Sequence, residues 1–146
     1  MPGRLQNRRN AVPEVDPTRA PLHDAAEAGS VDGLASALAA GASVDARDKL
    51  MRTPLHFAVM RGHAEVTRML LAAGADIEAQ SNHTRRPLWF AVEKDDVNMA
   101  RLLLDSRASI HARGDKDKTP LHWAVDEDSK VAELPLSFTV VSLTPY

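Results

Sequence analysis

The apolar positions of this chain fall into short helical stripes punctuated by proline and glycine, and the same stripe returns at a fixed interval. Pro21, Pro54, Pro87 and Pro120 lie 33 residues apart at every step, and around them the chain reads APLHDAA, TPLHFAV, RPLWFAV and TPLHWAV. Upstream of the last three prolines a second texture repeats as ASVDARD, ADIEAQS and ASIHARG. Leu70 and Leu71 return as Leu103 and Leu104, and Gly41 returns as Gly74. A constant period of this length marks an array whose units bury their apolar faces against one another.

Local chemistry predicts what each unit contains. Thr53 suits a helix N-cap, with its hydroxyl placed to accept from an early backbone N–H, and Pro54 at the first helical position gives up no needed donor. The helix runs through Leu55, Ala58 and Val59 to Gly62, which takes the left-handed conformation without a Cβ penalty. A second helix follows from Ala64 to Ala72, with Val66, Met69, Leu70 and Ala73 forming its buried stripe and Gly74 closing it. The chain then extends from Ala75 to Gln80, anchored by Ile77, and reverses into a protruding finger. Neither helix reaches the roughly 12 to 15 residues at which an isolated helix becomes marginal in water, so each unit depends on its neighbours. Small Ala25, Ala26, Ala58, Ala91 and Ala124 allow close approach, and Leu22, Leu55, Leu88 and Leu121 supply a continuous buried row.

The 33-residue period with Thr53, Pro54, Leu55, His56 and Ala58 in a T-P-L-H-x-A pattern resembles the ankyrin-repeat family. The likeness covers about residues 16 to 127, and Asp48 to Gln80 follows the family pattern almost throughout. It implies an all-α solenoid of paired antiparallel helices with protruding β-hairpin or finger loops. The organisation it implies is a flexible leader over 1–15, repeats over 16–47, 48–80 and 81–113, a partial repeat over 114–130 and an atypical tail over 131–146. The leader carries prolines and Arg4, Arg8 and Arg9, too few basic residues for an address signal.

Two units depart from the pattern. The third has Asp95 where Gly62 stands and Arg107 where Gly74 stands, each in a left-handed position that costs a non-glycine residue on the order of 1 kcal/mol. It also has Trp89 in place of His23, His56 and His122, and Arg86 in place of Thr53, so the usual Thr and His hydrogen bonds are lost, and Trp89 with Phe90 either fills the gap between units or forms an aromatic hot spot on the binding face. This unit is expected to be the softest internal one. The fourth opens normally, but Pro135 blocks its second helix, and the uncharged, β-prone residues that follow are the wrong material for a polar cap. That ending points to a longer native array and to a sticky exposed end.

Composition narrows the function. The chain has 146 residues, 44% apolar and 26% charged, a formal charge of −2 and no cysteine. It reads as one globular domain, with no thiolate metal site, no bulk cationic footprint for nucleic acid, no membrane span and no signal peptide. A reducing interior, cytoplasm or nucleus, fits. No catalytic motif is present, and His23, His56 and His122 share one repeat position, so the chain reads as non-enzymatic, with no cofactor and no metal.

The resemblance implies a protein-protein interaction module or adaptor that meets its partner at the finger tips and the concave face of the first helices. Carried over by position, the partner-binding residues are Lys49, Leu50, Arg52, Met60 and Arg61 in the second unit, Asn82, His83, Arg85, Trp89, Glu93 and Lys94 in the third, and Lys116 and Lys118 in the fourth. The first unit offers Asp16, Arg19 and Glu27. The basic excess of the middle units suits an acidic segment. A monomer is expected unless the C-terminal end self-associates. The alternative is a targeting or substrate-recruitment segment of a longer signalling enzyme, a kinase or ubiquitin ligase. The family's asparagine-hydroxylation position is held by Asp45, Glu78 and His111, so the preferred target is missing.

Overall fold

Each of the four prolines opens a helix, and this sets the architecture. A computed structural model describes residues 19–126 and 129–133, without the side chains of residues 115, 126 and 133. The helices are α1 (Pro21–Ala28), α2 (Val31–Ala39), α3 (Pro54–Arg61), α4 (Ala64–Ala72), α5 (Pro87–Glu93), α6 (Val97–Asp105) and α7 (Pro120–Asp126). Within each unit the two helices pack together, and α1, α3, α5 and α7 pack side by side as one layer with α2, α4 and α6 behind. The leader over 1–15 and the residues after 133 lie outside the described residues. In the fourth unit, two 3₁₀ turns, Asp115–Asp117 and Lys130–Glu133, flank α7 among the described residues.

The helix pairs turn where glycine permits. Gly29 and Gly62 adopt φ of 70° and 74°, and the next residue's N–H returns to the helix, as in His63 N to Ala58 O at 2.9 Å. In the third unit Asp95 holds the same left-handed geometry at φ 53°, and Asp96 N reaches Ala91 O at 2.9 Å. At the far end of the second helices, Gly41, Gly74 and Arg107 have φ of 85°, 90° and 71°. The backbone therefore keeps its period where the sequence loses its glycines, and the two side chains carry the strain.

The fingers close through turns rather than strands: no described residue lies in a β-strand. Each reversal is held by a pair of backbone bonds: Asp48 N to Arg52 O at 3.0 Å with Met51 N to Asp48 O at 2.9 Å, Ser81 N to Arg85 O at 3.0 Å with Thr84 N to Ser81 O at 2.9 Å, and Gly114 N to Lys118 O at 2.9 Å with Asp117 N to Gly114 O at 3.1 Å. Met51, Thr84 and Asp117 sit in the left-handed region at the corresponding turn position, with φ of 58°, 57° and 59°.

The core is one continuous cluster along the stack. Leu22, Leu55 and Leu88 are buried, as are Ala26, Ala58, Ala91 and Ala124, while Leu34, Val66, Leu70, Met99 and Leu103 fill the space from the second helices. The leucine row does not stay buried to its end. Leu121 is half-buried and Val125 is 64% exposed, because no further described unit packs on α7.

Candidate functional site

Buried polar groups join consecutive first helices and fix the surface above them. In unit two the His56 Nδ1 accepts from Thr53 N at 3.0 Å and lies 3.0 Å from the Thr53 hydroxyl. That leaves Nε2 to donate to Arg85 O at 3.2 Å, across the joint to unit three. His23 repeats the arrangement, taking Ala20 N at 2.9 Å and reaching Arg52 O at 3.1 Å. Burial pushes the His56 ring down to about 4, which keeps it neutral and suits it to bracing rather than proton transfer.

The third unit has no such bridge. Trp89 is 3% exposed, its ring packs against Trp123 with centroids 5.6 Å apart, and its Nε1 has no hydrogen-bond partner among the described residues. Trp89 therefore does not belong to the accessible partner-binding set: a ring too wide for the polar bridge has become core. Arg86 is equally displaced from a capping role. It lies 3.1 Å from Glu78 through Nε, off the axis of a hydrogen bond, and donates through its guanidinium to Arg113 O at 3.0 Å.

The fingers and first helices of units two and three line a groove of about 140 Å³ formed by Leu50, Arg52, Met60, Ser81, His83, Arg85 and Phe90. Five of the partner-binding residues expected from the sequence thus share one concavity. Leu50 is 40% exposed at the lip, and His83 is exposed beside it. Asn82 ties the two finger tips through its backbone, donating to Leu50 O at 3.0 Å. Lys49, Glu93 and Lys94 are exposed outside the groove lining, and Lys116 and Lys118 stand in the fourth unit, exposed and half-buried respectively. Arg61 points elsewhere, pairing at 2.6 Å with Glu27 of the first unit.

Electrostatics moderates the basic surface expected from residue counting. The buried Asp48 carboxylate holds Arg52 at 2.8 Å and also accepts from the backbone of Leu50 and Arg52. Arg19, through its ion pair, and Arg61 hold Glu27 below the usual carboxylate range. Arg85 lies 3.7 Å from Glu93 and over the Trp89 ring at 5.9 Å. Phe57 is clasped between two guanidiniums, Arg19 at 4.8 Å and Arg52 at 4.5 Å from its centroid. Phe57, Phe90 and Asp48 were not among the sequence-derived site residues. The aromatic pair recurs at the 33-residue spacing, and this was the available signal.

The finger carboxylates have a separate task. Asp45 accepts from Asp76 N at 2.9 Å and Glu78 from Ser109 N at 2.7 Å, so two of the three residues at the hydroxylation position join one unit to the next. Among the described residues no three His, Asp or Glu side chains are grouped to hold a metal ion, and no helix is long and apolar enough to cross a membrane.

No curated protein is similar enough to this chain to count as a match. Two family profiles do match it: ankyrin repeats (many copies) over residues 22–71, and ankyrin repeat over residues 85–115. With the paired helices and the unbroken 33-residue period, these matches establish that the chain belongs to the ankyrin-repeat family.

Proposed function

We propose that this chain is a non-catalytic interaction module that takes an acidic segment of a protein partner into the groove between its second and third fingers. Ankyrin repeats are generally protein-protein interaction modules, and the observation that carries the finer reading is the groove itself. Two guanidiniums and His83 surround a floor formed by Met60 and Phe90, with Leu50 at the lip. Cations around an apolar floor suit a short segment that offers carboxylates and one or two apolar side chains. The short helices are held by a continuous core, so the surface is formed before the partner arrives and little ordering cost falls on binding.

The test compares groove and non-groove charges. Arg85→Glu and His83→Glu are expected to weaken capture of a fluorescent polyglutamate peptide by about tenfold or more at low salt, because like charges then face it. Arg61→Glu, outside the groove, is expected to change it by less than about threefold. Equal losses for all three variants, or equal binding of polyglutamine, would overturn the assignment.

A further inference from the structure

The last of the first helices carries half of a joint. On α3 and α5 the apolar positions of the joint are closed, with Leu55 and Val59 at 0% and 1% exposure and Leu88 and Val92 both at 3%. The same positions on α7 are Leu121, half-buried, and Val125, 64% exposed. The polar part of the joint is present too. His122 sets its Nδ1 against Thr119, 3.3 Å from the backbone N and 2.8 Å from the hydroxyl, as His56 does against Thr53. His23 and His56 then donate through Nε2 to a carbonyl of the following unit, Arg52 O and Arg85 O. His122 is exposed, and its Nε2 has no partner among the described residues. Whatever completes this face must bring apolar side chains and a backbone carbonyl.

We propose that residues 134–146 of this same chain cover the face as an apolar strap. The segment reads LPLSFTVVSLTPY and has no charged residue. It also starts in the right place. Glu133 ends the 3₁₀ turn that packs on α7, and a helix with its side chains is about 10–12 Å across. An extended chain advances about 3.3 Å per residue, so roughly four residues carry it round the helix and deliver Phe138 to Leu121 and Val125. Side chains of an extended segment alternate, which sets Leu136, Phe138 and Val140 on one side. Pro135 keeps Leu134 out of helical geometry, and extended backbone leaves a carbonyl for His122 Nε2.

Other occupants are less favoured. Residues 1–18 precede the first unit, at the far end of the stack, and carry Arg4, Arg8, Arg9, Glu14 and Asp16, which an apolar face would have to desolvate. An acidic partner would meet Asp126, Glu127 and Asp128, which follow Val125 in the chain, whereas an uncharged segment opposes none of them. A second copy competes with a segment tethered beside α7, whose effective concentration is on the order of millimolar. Poor material for a polar cap thus serves as an apolar one.

The chain has no cysteine, so introduced pairs report contact without interference. Val140→Cys is combined in the full chain with Val125→Cys, Arg101→Cys or Val31→Cys, and disulfide formation in oxidised glutathione is followed on non-reducing gels. Arg101 is exposed on α6, which packs on the same 3₁₀ turn as α7, so it controls for reach. Val31, 40% exposed in the first unit, controls for distance. All three partner positions are exposed, and circular dichroism checks that each variant folds. The Val125 pair is expected to close within one chain at least about fivefold faster than either control. Adding Phe138→Glu is expected to bring it down to the rate of the Arg101 pair and to raise binding of an apolar dye by about threefold, as the face is uncovered. If the three pairs close at equal rates, the segment arrives by reach alone and the inference is overturned. If Phe138→Glu leaves the rate unchanged, apolar contact does not hold the strap and the inference is likewise overturned. If the Val125 pair joins two chains, and the parent chain sediments as a dimer, a second copy is the occupant and the strap is wrong.

Discussion

Units two and three share a backbone and hold it by different means. In unit two, Thr53, His56, Gly62 and Gly74 each do what their geometry favours: a reciprocal cap, a buried bridge to Arg85 O and two unstrained left-handed turns. In unit three these positions carry Arg86, Trp89, Asp95 and Arg107, yet both helices start at the equivalent places, α6 matches α4 in length and α5 stops one residue short of α3. Some losses are compensated. Asp95 accepts from Ser129 Oγ at 2.6 Å, Asp96 caps α6 by accepting from Met99 N at 3.0 Å, and the tryptophan pair supplies apolar contact where the imidazole bridge is missing. Neighbours can therefore impose a conformation that one unit's own residues disfavour, as expected where stability is a sum of unit and interface terms.

Breaking the packing of each unit gives the largest effect. Trp89→Ala is expected to cost about 3–5 kcal/mol in urea unfolding, because a nearly fully buried ring leaves a cavity beside Trp123. His56→Ala is expected to cost about 2–3 kcal/mol, since Thr53 N and Arg85 O both lose a buried partner. A reversed order would mean that the polar bridge, not the tryptophan pair, is the stronger joint.

Acid distinguishes the units next. The His56 ring sits at about 4 in the fold against 6.5 unfolded, so the unfolded chain takes up a proton before the fold does. Its contribution is full above about pH 6.5 and falls away between pH 6.5 and 4, by up to about 3 kcal/mol. Asp95 is shifted down, chiefly by the Ser129 hydrogen bond, and its contribution is likewise lost as pH falls through its folded value. Thermal melts of the parent and of His56→Gln across that range should differ in slope. Equal slopes would show that the imidazole does not carry the acid sensitivity.

Smaller still is the effect of backbone strain. Arg107→Gly is expected to stabilise by about 1 kcal/mol, and Gly74→Arg to cost about as much. Asp95→Gly should gain less, because it also removes the Ser129 contact. At the bottom of the scale, Glu27→Gln beside the exposed Arg61 should change stability by less than about 1 kcal/mol on that ion pair's account, with an added loss through Arg19.

Much of this was legible in the sequence because the period writes the same physics several times. The prolines gave the helix starts, the glycines gave the turns, and the loss of glycine at Asp95 and Arg107 marked left-handed residues that the structure contains. The groove was legible as a set of exposed positions on one face, five of which converge. What was hidden depended on partners far apart in sequence or on volume. Nothing local shows that Asp48 would turn inward onto Arg52 or that Arg61 would reach back to Glu27, whereas the burial of Trp89 in the joint was one of the two readings its replacement of a bridging histidine allowed.

The longest described helix has nine residues, and the contacts between units are mainly side-chain packing with a few bridging bonds such as those of His23, His56 and Asp45. Tension applied to the two ends would load those seams in series rather than in parallel. The array would yield one unit at a time, each release adding roughly 110 Å of slack, so the stack has the makings of a spring whose steps are set by the repeat length.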